Sequence, residues 1–238
     1  MTQPKDFAAY DRPSVTVDLV LMSVVDAAPA VLLMRRREAP FAGAWALPGG
    51  FVQIDESLDA AARRLLRDKA RMEGAYVEQL FTFGAVNRDP RARVITTAYL
   101  ALLSAESFAE ALKASPDLKL ARVVASPSDE VGGTARAEID NAAATLAFDH
   151  AEILATAIQR LRGKLDYSDV AFALLPEAFT LRQLQDIYEA VLGLTLNKPA
   201  FRRRMLDKGW LEATGAYETG ASYRPAELYR RAAKFIRK

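Results

Sequence analysis

The sequence predicts an α+β protein in two parts: strands with intervening loops and one clear helix over residues 1–148, then a small helical unit closed by a hairpin over residues 149–238. Three observations carry this prediction. Apolar, β-branched runs dominate the first part and enclose a Gly/Pro-punctuated loop and one amphipathic helix. Helical spacing takes over after Asp149, with start and stop residues at each joint. Charge is also uneven. Residues 1–148 carry 17 Lys and Arg against 19 Asp and Glu, residues 149–238 carry 15 against 11, and residues 198–238 alone carry 11 against 4.

Bulk properties exclude several classes. At 238 residues the chain is long for one domain, since domains usually run to about 100–150 residues. It is 51% hydrophobic and 26% charged, an ordinary globular composition rather than a disordered one. No apolar run approaches the roughly 20 residues that span a bilayer. The opening MTQPKDFAAYDRPS lacks the basic-then-apolar pattern of a secretory leader, so a cytoplasmic location is expected. The absence of cysteine excludes disulfides, thiolate metal sites and cysteine nucleophiles. A single histidine, His150, excludes a multi-histidine metal site.

In chain order, Val15–Val25 and Ala30–Met34 read as paired strands, followed by the loop PFAGAWALPGGF. Leu58, Ala61, Leu65, Leu66 and Met72 mark the apolar face of a helix with Glu56 near its start. Tyr76–Phe83 and Val94–Leu103 read as two more strands. Between Ser104 and Leu146 come an Ala-rich helix, an SPSDEVGG turn and a second Ala-rich stretch. The second part opens with a helix over Asp149–Leu161 and a short apolar segment, Tyr167–Leu175. Thr180 and Gln183 then form a capping-box pattern ahead of a helix burying Leu181, Leu184, Ile187, Tyr188 and Val191 and stopping at Gly193. Asn197 caps the next helix, Pro199 sits in its first turn, and it ends near Gly209. Trp210–Ala213 and Ser222–Arg224 flank a Gly-rich segment as a two-stranded wing, and Leu228–Ile236 reads as a closing basic helix. Helices followed by a hairpin give the outline of a winged helix-turn-helix.

The segment GGFVQIDESLDAAARRLLRDKARM resembles the Nudix box, a loop-helix-loop in which a glycine is followed by spaced glutamates and an arginine. Gly50, Glu56 and Arg64 have the family spacing, and AWALPGG is the family's approach loop; the resemblance implies a mixed β-sheet between helices, an αβα sandwich, for this part of the chain. The positions of the remaining metal-binding glutamates hold Leu65, Asp68 and Lys69, and the closing glycine is Arg71. In active members those carboxylates share one helical face and hold a divalent ion at a pyrophosphate. Lys69 would repel a cation by about 4 kcal/mol per unit charge pair at 4 Å and an effective dielectric of 20. Metal-assisted hydrolysis is therefore not expected, no cofactor is required, and Glu56 and Asp68 are the only residual Mg²⁺ ligands. Lys69 stands instead where it can pair with a phosphate. The ligand-binding set implied by the resemblance is Arg37, Trp45, Gly49, Gly50, Glu56, Arg64 and Lys69. Trp45 either stacks on a base or belongs to the core or a dimer interface.

The run LAFDHAEILATAIQRLRGKLDYSDVAFALLPEAFTLRQLQDIYEAVLG, with FRRRMLDKGWLEATG and RPAELYR, resembles the Nudix-related transcriptional regulators that repress NAD-metabolism genes. The likeness covers most of residues 14–103 and 145–231. It implies a homodimer that binds operator DNA through its winged helices and senses ADP-ribose or a related phosphorylated effector. Arginine suits guanine edges and phosphates, and Arg182, Lys198, Arg202, Arg203, Arg204, Tyr223 and Arg224 are the DNA-contacting residues expected. Three consecutive arginines cannot all point one way at 100° per residue, so one or two face DNA and another spans to the DNA backbone or the domain body. His150, at the junction, is read as a capping or interdomain hydrogen-bonding residue. The stretch before it has no aromatic until Phe148, where the family carries an aromatic segment; a remodelled pocket, another effector or lost response all fit. Two alternatives stay open: an active Mg²⁺-dependent pyrophosphohydrolase with an accessory winged helix, and a winged helix that binds protein rather than DNA.

Overall fold

The computed structural model describes residues 10–72, 75–125, 135–219 and 225–233. Its central strand, β1 (Ser14–Val25), is covered on both faces: Val17, Leu19 and Leu21 enter one apolar core, Val20 and Met22 the other. A strand buried on both sides reads as a continuous apolar run, which is why VTVDLVLMSVV does not alternate. A turn with Asp26 and Ala27 both at positive φ leads into β2 (Ala28–Arg35), the turn geometry that matches strand twist. Within the Gly/Pro loop, β3 (Trp45–Ala46) pairs with β2 and β4 (Gly49–Phe51) with β1.

Ser57 caps α1 (Leu58–Ala70), its hydroxyl accepting from the Ala60 N–H at 3.2 Å. Then follow β5 (Tyr76–Phe83), β6 (Val94–Leu102), α2 (Ala105–Ala114) and β7 (Leu118–Val124). The second Ala-rich stretch is a hairpin, β8 (Arg136–Ile139) and β9 (Ala142–Ala144), turning through Asp140 and Asn141 at positive φ. The strand order is β5-β6-β1-β2-β7-β8-β9, with β1 and β6 parallel and the other pairs antiparallel. α1 and α2 cover one face with Ala61, Leu65 and Phe108. The opposite face is covered by α3 (His150–Lys164) and α4 (Leu181–Leu192). The expected αβα sandwich is present, and its third layer is made by helices of the second part.

That second part continues through a 3-10 turn at Val170–Leu174, β10 (Phe179–Thr180), α4, α5 (Lys198–Asp207), β11 (Leu211–Tyr217) and β12 (Glu227–Arg231). The strands form a β10-β12-β11 sheet, so the unit is a winged helix-turn-helix. Its capping box is complete: the Gln183 N–H donates to Thr180 Oγ1 at 3.1 Å, and the Thr180 N–H donates to Gln183 Oε1 at 2.7 Å. One expectation is corrected here. Leu228–Ile236 does not open as a helix, because β12 takes Leu228–Arg231 into the wing. Leu228 lies opposite Thr180, and Tyr229 between Phe179 and Ala213. Burying Tyr229 and completing two ladders outweighs the helical preference of a segment rich in Leu, Arg, Ala and Lys. The other wing strand expected, Ser222–Arg224, and the SPSDEVGG turn lie outside the described residues.

One apolar core runs from Val20, Met22 and Val31 of the sheet through Ile153, Leu154 and Ile158 of α3 to Leu184, Tyr188 and Phe201. Polar pins reinforce it. Arg160 Nη2 donates to the Leu80 carbonyl at 2.9 Å, Lys164 pairs with Glu78, and Arg162 Nε donates to the Val191 carbonyl at 2.9 Å. The Tyr188 hydroxyl donates to the Leu165 carbonyl at 3.0 Å, and burial pushes its pKa up to about 12. Among the described residues no helix is long and apolar enough to cross a membrane.

Candidate ligand cleft and nucleic-acid interface

A cleft of about 260 Å³ opens where the first half of β1 meets β4 and the start of α3. Its walls carry Arg36, Arg88 and Arg91 together with Asp18, Glu38 and Asp89, and an aromatic side is supplied by Phe148. Phe148 holds a left-handed backbone (φ 52°), packs edge-on to Phe41 at 4.9 Å, and lies under the Arg36 guanidinium at 4.7 Å. Arg36 is fixed there by donating Nε to the Pro40 carbonyl at 2.9 Å.

Behind the cleft lies a buried polar network. Arg88 donates Nε to Asp149 Oδ2 at 2.8 Å and Nη2 to Asp149 Oδ1 at 2.6 Å, with Asp18 Oδ2 at 3.4 Å. Thr96 Oγ1 donates to Asp18 Oδ2 at 2.7 Å. His150 Nδ1 accepts the Leu47 N–H at 2.9 Å, so Nε2 carries the proton of the neutral ring, 3.8 Å from Asp18 Oδ1. Burial pushes the His150 pKa below its ordinary value, against the pull of Asp18 and Asp149. The interdomain role read for His150 is thus a hydrogen bond between the approach loop and α3, and the same ring lines the cleft.

Of the ligand residues expected, the structure brings Gly49 and Gly50 to the cleft. The described lining does not include the other five. Arg37 is exposed and paired with Asp117 at 2.6 Å, while Arg36, one residue earlier, faces the cleft. Trp45 is half-buried against the apolar core. Glu56 and Arg64 hold each other: Arg64 Nε donates to Glu56 Oε2 at 2.9 Å, and Glu56 Oε1 accepts the Gln53 N–H at 2.8 Å. Lys69 lies on α1, outside the lining. The sequence reading missed Arg36, Arg88, Asp89, Arg91 and Asp18. The available signal was NRDPRAR, a charged loop between two strongly apolar strands.

Gly49 is required by contact. A Cβ there would stand 2.4 Å from Asp18 Oδ1 and 2.8 Å from the Val17 carbonyl of the central strand. Gly49→Ala is expected to destabilise by about 1–3 kcal/mol, the cost of overpacking. Gly163→Ala, where nothing lies within 4 Å on α3, should instead stabilise by about 0.5–1 kcal/mol. Chemical denaturation of both variants measures this, and equal midpoints for the two would contradict it.

The Arg64 pair, with the Gln53 amide, holds the Glu56 carboxyl down from its ordinary 4.5 to about 2. A depressed carboxyl stabilises the folded state in its ionised form, so the contribution is complete above 4.5 and is lost as pH falls towards 2. Glu56→Gln should flatten the acid side of the stability profile across that window in urea titrations. An unchanged slope would contradict this.

These residues do not fit the divalent ion that the Nudix box implies. Leu65 is buried, and its Cδ2 would stand 2.9 Å from a Cβ at Gly50, so apolar packing fills a ligand position. Glu56 is bound to Arg64, and the exposed Asp68 also faces Arg64 at 4.0 Å. Arg71 closes α1 in the left-handed conformation (φ 55°) at the motif's glycine position. Among the described residues no cluster of three or more His, Asp or Glu is arranged to hold a metal.

On the winged helix, Phe201 and Met205 bury one stripe of α5. At 100° per residue Arg203 lies opposite that stripe, Arg202 and Arg204 lie on its two flanks, and Lys198 is on the side of Arg202. The contacts separate the two flanks: the Arg204 guanidinium sits 5.7 Å from the Phe201 ring, 5.9 Å from the Tyr188 ring and 4.0 Å from Asp166. Lys198, Arg202 and Arg203 are exposed, and among the described residues none is in an ion pair. Arg182, Lys198, Arg202 and Tyr217 line one groove of about 410 Å³ between α4, α5 and the wing. Arg182 also pairs with Asp186 at 2.8 Å. Tyr217 was missed because β11 runs beyond the short strand expected. Tyr223 and Arg224 lie outside the described residues. The turn between α4 and α5 is held by Glu189, whose Oε1 accepts from the Leu196 N–H at 2.9 Å and Gln185 Nε2 at 2.7 Å.

Family models match the chain twice: a NUDIX domain over residues 13–155 and an NrtR DNA-binding winged helix domain over residues 171–231. The chain is 37% identical over 223 residues to the ADPR responsive transcriptional repressor NtrR of Acinetobacter baylyi, covering 93% of this chain and 83% of that protein. The crystal structure of Shewanella oneidensis NrtR complexed with a 27mer DNA is similar, with a TM-score of 0.75 and 35% identity over 92% of this chain and 93% of that one. A MutT/nudix family protein from Enterococcus faecalis has a TM-score of 0.73 and 25% identity, covering 96% of this chain and 90% of its own.

Proposed function

The chain belongs to the NrtR family, with a Nudix domain joined to a winged helix, and on that premise we propose that it is a transcriptional repressor which ADP-ribose releases from operator DNA. The observation that carries the DNA half is the exposed cationic face of α5, with Arg203 opposite the buried stripe and Lys198 and Arg202 beside it. Arg203 enters the major groove and reads base edges, while Lys198, Arg202 and Arg182 hold phosphates. Arg204 supports the helix from behind. The chain acts as a cytoplasmic homodimer whose two α5 helices meet half-sites about 34 Å, one helical turn, apart.

The effector half divides functionally at 148/149. In the cleft, Arg36, Arg88 and Arg91 face a pyrophosphate, Phe148 presents an aromatic surface to a base or sugar, and Glu38 accepts from ribose hydroxyls. Gly49 and Gly50 bring backbone close to the ligand. Fixed guanidinium charge replaces metal charge, so binding needs no Mg²⁺ and the ligand is not cleaved. Leu65 and the Glu56–Arg64 pair support this reading over the hydrolase.

The test is fluorescence anisotropy of a labelled fragment from promoters of NAD-metabolism genes, titrated with protein and then with ADP-ribose, in EDTA and again in Mg²⁺. Binding that ADP-ribose reverses equally in both buffers is expected, with the ligand recovered intact. No shift of any fragment at low salt would favour a protein-binding winged helix; turnover in Mg²⁺ would favour the hydrolase.

A further inference from the structure

The residues that end the cleft are also the residues that begin the helix to the winged domain. Phe148 and His150 line the cleft, and Asp149 between them is the residue at which α3 starts. Asp149 does not cap that helix with its side chain. Its carboxylate turns to Arg88, which takes both oxygens. Arg88 itself is 4% exposed at the side chain and lines the cleft. Two of its nitrogens are spent on Asp149 and Asp18, while Nη1 donates to no described residue.

We propose that Arg88 and Asp149 form the positioning pair through which an anion in the cleft reaches the winged helix. This rests on the ADP-ribose reading of the cleft and names how that site acts at a distance. The chemistry is competition for one guanidinium. A diphosphate offers charged oxygens to Nη1, and a planar guanidinium that turns to receive two of them cannot keep both bonds to Asp149. The released carboxylate stands beside the N-terminus of α3, whose dipole attracts an anion. Asp149 has ψ 18° here, whereas residues that cap with their side chains are extended. The exchange therefore swings the chain entering α3. The opposite end of α3 is tied to α4 through Arg162 and the Val191 carbonyl, and α4 holds the turn into α5. Movement at Asp149 thereby reaches the DNA-reading helix through a packed body.

The deciding measurement is the factor by which saturating ADP-ribose weakens DNA binding, obtained by anisotropy for the full-length wild type, Asp149→Asn, Asp149→Glu and Arg88→Lys. Direct ADP-ribose binding is followed by calorimetry and folding by thermal melts. In the wild type the factor should be at least about fivefold, within the usual range of coupling between sites. Asp149→Asn should still bind ADP-ribose, with the factor falling towards one because the pair that the ligand would break is already gone. Asp149→Glu should restore part of it. Arg88→Lys, which cannot hold a carboxylate at two points, should also uncouple. A folded Asp149→Asn protein with the wild-type factor overturns the proposal. A wild type that binds no ADP-ribose, or whose DNA binding ignores it, instead overturns the functional reading on which it rests.

Discussion

Arg203→Ala is expected to lower operator affinity by about 10- to 100-fold and to blur the preference for operator over unrelated DNA, the signature of a lost bidentate contact to a base. The reason is angular. With Phe201 and Met205 fixing the buried side of α5, Arg203 is the one arginine of the three that points straight away from the protein. Its neighbours should behave differently. Lys198→Ala and Arg202→Ala should weaken operator and unrelated DNA alike, and each should reduce the slope of log affinity against log salt by about 1.8 in the homodimer, one phosphate contact fewer at each half-site. Arg204→Ala should act mainly on stability, since that side chain covers Phe201 and Tyr188. Anisotropy titrations at several salt concentrations with operator and scrambled duplexes separate these outcomes. If Arg203→Ala lowered both affinities equally and the salt slope with them, Arg203 would be a phosphate contact and the assignment along α5 would be wrong.

Leu154→Ala is expected to destabilise the whole molecule by about 2–5 kcal/mol, the range for emptying a fully packed leucine site. Against a total of about 5–15 kcal/mol for native proteins, that is a large share. Leu154 is fully buried in α3, in the core that unites the sheet with the winged helix. The loss should therefore be felt in both parts at once. The two tryptophans allow this to be seen: Trp45 lies in β3 of the sheet and Trp210 beside the wing, packed on Phe172 at 6.3 Å. Trp45→Phe and Trp210→Phe leave one reporter each. Urea transitions followed through either should coincide, and Leu154→Ala should move both to the same lower midpoint. Two separated transitions, with only one of them shifted, would mean that the halves fold independently. Leu206→Ala, at a 41% exposed position on α5, provides the control, with an effect within about 0.5 kcal/mol.

Sequence patterns revealed the elements more readily than the cleft. Strands covered on both faces, such as β1, and helices with an apolar stripe, such as α1 and α4, carry their signal within a few neighbouring residues. So does the capping box at Thr180. The wing's return strand did not, because Glu227–Arg231 becomes a strand only through partners Phe179 and Ala213, distant in the chain. The cleft was obscured for the same reason. Its arginines come from the end of β2 and from the β5–β6 loop, and its aromatic wall from the residue before α3. Motif spacing located Gly49 and Gly50 but could not show that Glu56 and Arg64 are engaged with each other. Of the triple arginine at 35–37, side-chain direction alone decides that the middle one faces the cleft. On α5, by contrast, helical geometry singled out Arg203, while only the rings of Phe201 and Tyr188 distinguish Arg204 from Arg202.

The contact of Leu65 with Gly50 bears on any acid placed at that position. A glutamate restored at position 65 would enter an apolar core, where its charged form is disfavoured and its pKa rises. Leu65→Glu alone is therefore expected to lower stability, and the position is closed to a metal ligand by hydrocarbon packing rather than by the lack of a single acid.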